Sequence, residues 1–140
     1  MKKVAIIYWS MTGNTEAMAK EIQKGVEEAG GKAEMIQAGD FHKERIKDYD
    51  LLAFGCPAMG MEELEEGEFE PMFQEVEDHL SGLKIALFGS YAWNEGQWMD
   101  LWKERCENKG IQVIKTLIAF EYPDEEAKKD CRELGTRLAE

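Results

Sequence analysis

Basic side chains are scarce in this chain. Seventeen lysines and arginines stand against twenty-nine acids in 140 residues, a net charge of −12. A nucleic-acid backbone needs a basic face, so no nucleic-acid partner is expected. A macromolecule steered to this surface carries a basic patch of its own. Long apolar runs are also missing. None approaches the roughly 20 residues that cross a bilayer, and no membrane partner is expected. Met1-Lys2-Lys3 has the charge of a secretion signal. Val4–Trp9 is too short for the apolar core of one, and polar Ser10, Thr12 and Asn14 follow at once, so a cytoplasmic protein is expected. The three cysteines, Cys56, Cys106 and Cys131, lack C-x-x-C spacing and read as reduced thiols. His42 and His79 stand far apart without partners at ligand spacing, which leaves no candidate metal site and no catalytic base. Repeats, low-complexity linkers and domain boundaries are absent, so residues 1–140 are expected to form one domain.

What is present is a regular alternation. Lys3–Trp9 is a continuous apolar, β-branched run, the pattern of a strand buried on both faces. A helix follows over Asn14–Glu28, with Ala17, Met18, Ile22, Gly25, Val26 and Ala29 at spacings of three and four, stopped by Gly30-Gly31. Lys32–Gln37 reads as a short strand and Leu51–Gly55 as a buried one. A helix is predicted over Phe69–Leu80 and a strand over Lys84–Gly89. The next helix, Gln97–Asn108, is predicted to turn Trp98, Leu101, Trp102 and Cys106 inward. A strand over Ile111–Phe120 and a helix over Asp124–Ala139 complete the series. Apolar strands alternating with helices imply a doubly wound, three-layer α/β sandwich, and five parallel strands take the order 2-1-3-4-5. Ligands of such sheets bind outside the carboxyl ends of the strands, where the winding reverses.

Three loops meet there. The first is Ser10-Met11-Thr12-Gly13-Asn14-Thr15, with three hydroxyls and one amide between a buried strand and a helix. It suits a phosphate held by neutral donors and a helix N-terminus, since it contains no Lys or Arg. It matches neither G-x-x-x-x-G-K-[ST] nor G-x-G-x-x-G, which points to a ligand with one terminal phosphate. The second loop runs Gly55-Cys56-Pro57-Ala58-Met59-Gly60-Met61-Glu62-Glu63; its small residues allow close approach, and its methionines suit a flat ring. In the third, Gly89-Ser90-Tyr91-Ala92-Trp93-Asn94-Glu95-Gly96, Tyr91 and Trp93 offer stacking faces. Trp98 and Trp102, four apart on a helix, read as core.

With these loops in view, the chain resembles the short-chain flavodoxins of anaerobic bacteria such as clostridia. The resemblance rests on YWSMTGNTEAMA at Tyr8–Ala19, CPAMGMEELEEGEFEP at Cys56–Pro71 and ALFGSYAWNEGQWM at Ala86–Met99. It implies a flavodoxin-like fold and a non-covalently bound FMN. Ser10, Thr12, Asn14 and Thr15, with backbone amides including that of Gly13, would hold the phosphate. Met59 and Trp93 would flank the ring; Ala58, Gly60 and Ser90–Trp93 would contact ribityl or ring atoms, and Glu62 the ring nitrogens. Met11, Pro57, Tyr91, Ala92 and Gly96 belong to the same loops and complete the candidate cofactor-binding set. In the family the peptide matching Gly60-Met61 turns over on reduction. Met61 makes that turn costlier than glycine would.

The resemblance further implies a low-potential carrier of single electrons that shuttles between semiquinone and hydroquinone and is not an enzyme. Its partners would be reductases and oxidoreductases with basic surfaces, and it would act as a monomer. Glu62–Glu70 carries six acids beside the proposed ring. A carboxylate about 10 Å from a reduced, anionic ring repels it by roughly 0.8–1.7 kcal/mol, or tens of millivolts at about 59 mV per 1.4 kcal/mol. Two other readings of the chain are an FMN-dependent quinone or nitro reductase and a flavin-free interaction domain of the same architecture. Flavin bleached by NAD(P)H alone would indicate the first, and a colourless protein the second.

Overall fold

The structure is a computed structural model that describes residues 1–59, 63–92 and 94–140, with the side chain of 94 excepted. The strands are β1 (Lys3–Tyr8), β2 (Lys32–Gln37), β3 (Leu51–Gly55), β4 (Lys84–Tyr91) and β5 (Gln112–Phe120). The helices are α1 (Asn14–Glu28), α2 (Phe69–Glu77), α3 (Gln97–Glu107) and α4 (Glu125–Leu138). Among the described residues the strands form one parallel sheet in the order β2-β1-β3-β4-β5, as the alternation of the sequence predicts.

The period of two along each strand divides the core. Ala5 and Ile7 of β1, Leu52 and Phe54 of β3, and Ile85 and Leu87 of β4 join Phe69, Phe73, Val76, Trp98 and Trp102 on the α2–α3 side. Val4, Ile6, Ala53, Ala86 and Phe88 join Met18, Ile22, Val26, Cys131 and Leu134 on the α1–α4 side. Aromatic rings on the first side pack edge to face, with Phe54 and Phe73 at 5.3 Å and Phe69 and Trp102 at 5.4 Å.

On the other side α1 and α4 approach too closely for side chains at the crossing. A Cβ on Gly25 would collide with the Arg132 carbonyl, and one on Gly135 with the Ile22 carbonyl. Beside this crossing Arg132 Nη1 donates to Glu21 Oε1 at 2.6 Å, and Lys24 Nζ donates to Glu21 Oε2 at 3.1 Å. Burial of Glu21 works to raise its pKa, but these two cations outweigh it and hold the carboxyl below its ordinary value.

Several boundaries differ from the periodicity reading. β1 ends at Tyr8, α2 at Glu77, α3 at Glu107 and α4 at Leu138, while β5 begins at Gln112. The larger difference is that β4 continues two residues beyond Gly89. Ser90 and Tyr91 pair with Ala119 and Phe120 of β5, and on the other side the Ala58 amide donates to the Ser90 carbonyl at 3.0 Å. Leu101, predicted to face inward, is 55% exposed, while its neighbours Trp98, Trp102 and Cys106 are buried as expected. The α3 stripe is narrower than the apolar spacing suggests, because Leu101 borders an open groove with Glu63, Leu64, Glu70 and Arg105 instead of the sheet. The three cysteines are free and buried, and burial pushes the thiols of Cys106 and Cys131 up to about 12. No helix among the described residues is long and apolar enough to cross a membrane, and none of them form a metal-holding cluster.

Candidate functional site

The cradle forms where β1 hands over to α1. Gly13 stands at the helix N-cap with φ 94°, a left-handed backbone that favours glycine. The Ser10 hydroxyl reaches back over this turn and accepts from the amides of Gly13, at 3.1 Å, and Glu16, at 3.3 Å. With both lone pairs so engaged, its proton is free to donate outward. Among the described residues the amides of Met11, Thr12, Asn14 and Thr15 have no partner. A row of open N–H groups at the start of a 15-residue helix, with the positive end of the helix dipole behind it, is the physical form of an anion site.

Two cavities meet at this loop. One, of about 300 Å³, is lined by Ser10, Met11, Thr12, Asn14, Thr15, Pro57, Ala58, Met59, Ser90, Tyr91, Ala92 and Glu121. The other, of about 390 Å³, lies toward β2, with Tyr8, Trp9, Gln37, Ala38, Glu16 and Glu68 around the same Ser10–Gly13 turn. Neither lining contains Lys or Arg among the described residues, so an anion there is held by neutral donors. On the β2 side Tyr8 Oη donates to Glu16 Oε2 at 3.2 Å; burial, reinforced by that carboxylate, raises the tyrosine pKa.

The Thr15 hydroxyl points elsewhere than the loop reading expects. It is buried, shares a hydrogen bond with the Ser90 hydroxyl at 3.2 Å and accepts from the Ser90 amide at 3.4 Å. It therefore pins α1 to the end of β4, leaving its amide to face the cradle. Tyr91 lines the cavity, yet its ring packs on Trp98 at 5.9 Å and on Phe120 at 5.6 Å, so it belongs to an aromatic wall. Gly96 begins α3 and sits against Ile118, outside the cavity lining. Gly60, Met61, Glu62 and Trp93 lie outside the described residues.

The second loop is held at its ends. Met59 and Glu63 exchange both backbone hydrogen bonds at 3.1 Å, closing a narrow antiparallel bridge. Trp98 Nε1 donates to the Cys56 carbonyl at 3.2 Å, so the loop leaves β3 over a buried indole. The acids that follow divide by task. Glu65 caps α2 by accepting from the amides of Gly67, Glu68 and Phe69. Glu70 pairs with Arg105, with nitrogen–oxygen distances of 2.9 and 2.7 Å. Glu63 lies beside Glu66, and this like-charged neighbour raises the pKa of Glu63.

Sequence reading also missed Glu121. It lies past β5 in a stretch without a hydroxyl or glycine signal, and only the turn after β5 brings it to the cavity. Its positive φ of 52° is a second feature that the side-chain pattern does not announce.

The donor set fits a phosphate monoester joined to a flat ring. Open amides and the Ser10 hydroxyl are the donors a monoester would need, and the small Ala58 and the thioether of Met59 line the cavity beside them as a flat ring would require. A family model described as flavodoxin matches residues 6–135. The chain is 47% identical to a flavodoxin of Megasphaera elsdenii, over 97% of this chain and 98% of that protein. It is 44% identical to a flavodoxin of Clostridium beijerinckii, over 96% and 97%. The solution structure of two-electron reduced Megasphaera elsdenii flavodoxin superposes with a TM-score of 0.89 at 46% identity, covering 97% of this chain and 98% of that one. With the family model spanning most of its length and these relatives matching it nearly end to end, the chain belongs to the flavodoxin family and is an electron-transfer protein that uses FMN.

Proposed function

We propose that the chain is a low-potential, one-electron carrier of the cytoplasm, in which residues 1–140 form a single FMN-binding domain that acts as a monomer. The observation that carries this reading is the cradle: unpartnered amides and outward hydroxyls at the α1 N-terminus, with no cation in the described lining. Ser10, Thr12 and Asn14, with the amides of Met11 to Thr15, hold the phosphate of FMN. Ala58, Met59, Ser90, Tyr91 and Ala92 border its ribityl chain and ring, and Pro57 closes the side nearest β3. Gly60, Met61, Glu62 and Trp93 complete the ring site on the family pattern. The bound flavin supplies reversible acceptance of single electrons.

The protein sets how readily those electrons are held. A neutral cradle leaves the phosphate charge uncompensated by any side chain, and the acids at Glu63, Glu66, Glu68 and Glu121 add to the negative field. Both effects disfavour adding an electron and keep the potential low. The same acidity, with a net charge of −12, directs the carrier toward reductases and oxidoreductases whose docking faces are basic.

Stepwise reductive titration of the purified yellow protein tests this reading. A half-reduced form with its own long-wavelength absorbance is expected to accumulate before full bleaching. Direct passage from oxidised to fully reduced flavin would refute single-electron transport. NAD(P)H alone is expected to leave the colour unchanged.

A further inference from the structure

The cavity beside the cradle has a wall that none of the three loops supplies. The turn after β5 brings Glu121 to the same lining as Thr12, Asn14, Ala58, Tyr91 and Ala92, and among the described lining residues it is the one charged side chain. None of the ion pairs among the described residues involves it. Its backbone is left-handed at φ 52°, a region that costs a residue with a Cβ and is kept where the surroundings impose it. The surroundings here are explicit. The Glu121 amide donates to the Tyr91 carbonyl at 2.7 Å, and the preceding Phe120 ring packs edge to face on Tyr91. The turn is thus fastened to the end of β4, where that strand borders the cavity.

A chain running from the cradle to Met59 has to cross this cavity, and its hydroxyls are donors in need of acceptors. The Ser90 hydroxyl is already engaged with Thr15 and is nearly buried. Ionised Glu121 is an acceptor only, with about four lone-pair sites. Facing the phosphate it would repel; facing hydroxyls it would bond. We propose that Glu121 is a positioning and specificity residue for the cofactor, its carboxylate accepting hydrogen bonds from the hydroxyls of the sugar-alcohol chain between phosphate and ring. This rests on FMN binding with its phosphate at the cradle. The residue selects a polyhydroxylated linker over a plain hydrocarbon one and helps fix where the ring comes to rest.

The full chain, stripped of flavin, is titrated with FMN and with a flavin whose phosphate is joined to the ring by an unsubstituted pentyl chain. The second ligand keeps ring and phosphate and lacks the hydroxyls. The unaltered protein is expected to prefer FMN by about tenfold or more, the scale of a hydrogen bond to a charged group. Glu121→Ala is expected to abolish most of that preference by weakening FMN alone, and Glu121→Gln, which keeps one acceptor oxygen, to retain part of it. Glu121→Gly removes the backbone strain, so the flavin-free variant should resist urea at least as well as the unaltered chain while losing the same preference. Equal loss for both ligands in Glu121→Ala, or an undiminished preference for FMN, overturns the proposal. If the unaltered chain takes up neither ligand, the reading of the cradle fails instead, and that outcome is distinct from the first two.

Discussion

A left-handed turn at Gly13 shows how much of the site depends on single residues. A Cβ built on Gly13 meets nothing within 4 Å, so the cost of a side chain there is conformational rather than steric. Gly13→Ala should therefore lower the stability of the flavin-free chain by about 1–2 kcal/mol, the usual cost of that backbone region for an L-residue. FMN affinity should fall as well, because relaxing the turn re-aims the amides on either side. Urea midpoints and flavin titrations on one preparation check both, and an unchanged midpoint would contradict the assignment. The residue scale is also where sequence reading was least complete. Hydroxyls at Ser10, Thr12 and Thr15 look equivalent along the chain, yet Thr15 turns inward because Ser90, 75 residues away, offers it a buried partner. Tyr91 reads along the chain as a free aromatic face; Trp98 and Phe120 take it into a wall. Side-chain direction at these places is decided by neighbours that local spacing does not reveal.

Elements were far more legible, since strands buried on both faces announce themselves and glycines end the helices. The misreadings follow from pairing. β4 extends to Tyr91 because β5 and the Ala58 amide both find partners there, and Leu101 stays exposed because it borders an open groove with Glu63, Leu64 and Glu70 instead of the sheet. The joint between α1 and α4 carries its own test. Glu21 has a depressed pKa in the folded chain, so the stability it contributes is present above the ordinary carboxylate value, about 4.3, and is lost as pH falls through the lower folded value. Glu21→Gln should thus be less stable than the unaltered chain at neutral pH, with the gap closing as the solution is acidified. Thermal unfolding between pH 7 and pH 3 measures this; a gap that widened toward acid would reverse the assigned sign.

Over the whole molecule the dominant quantity is charge. A net −12 on 140 residues makes encounter with a basic acceptor depend on ionic strength, since screening shortens to about 3 Å at 1 M salt. Electron transfer from the reduced protein to a strongly basic haem protein, followed by stopped flow, is expected to slow by about tenfold or more between low and high salt. A rate indifferent to salt would remove electrostatic steering from the account.

The glycine-to-glycine crossing of α1 and α4 has a consequence for how the protein acquires its colour. The helix whose open amides are proposed to hold the phosphate is seated by Arg132, 111 residues downstream of the Glu21 it grips, and by a Thr136 hydroxyl that bonds the Gly25 carbonyl. On the ribosome, that first helix emerges with its seat still unmade, and closing so distant a contact comes late. FMN capture therefore waits on the segment that carries Arg132 and Thr136, and a nascent chain stalled before residue 132 should bind none.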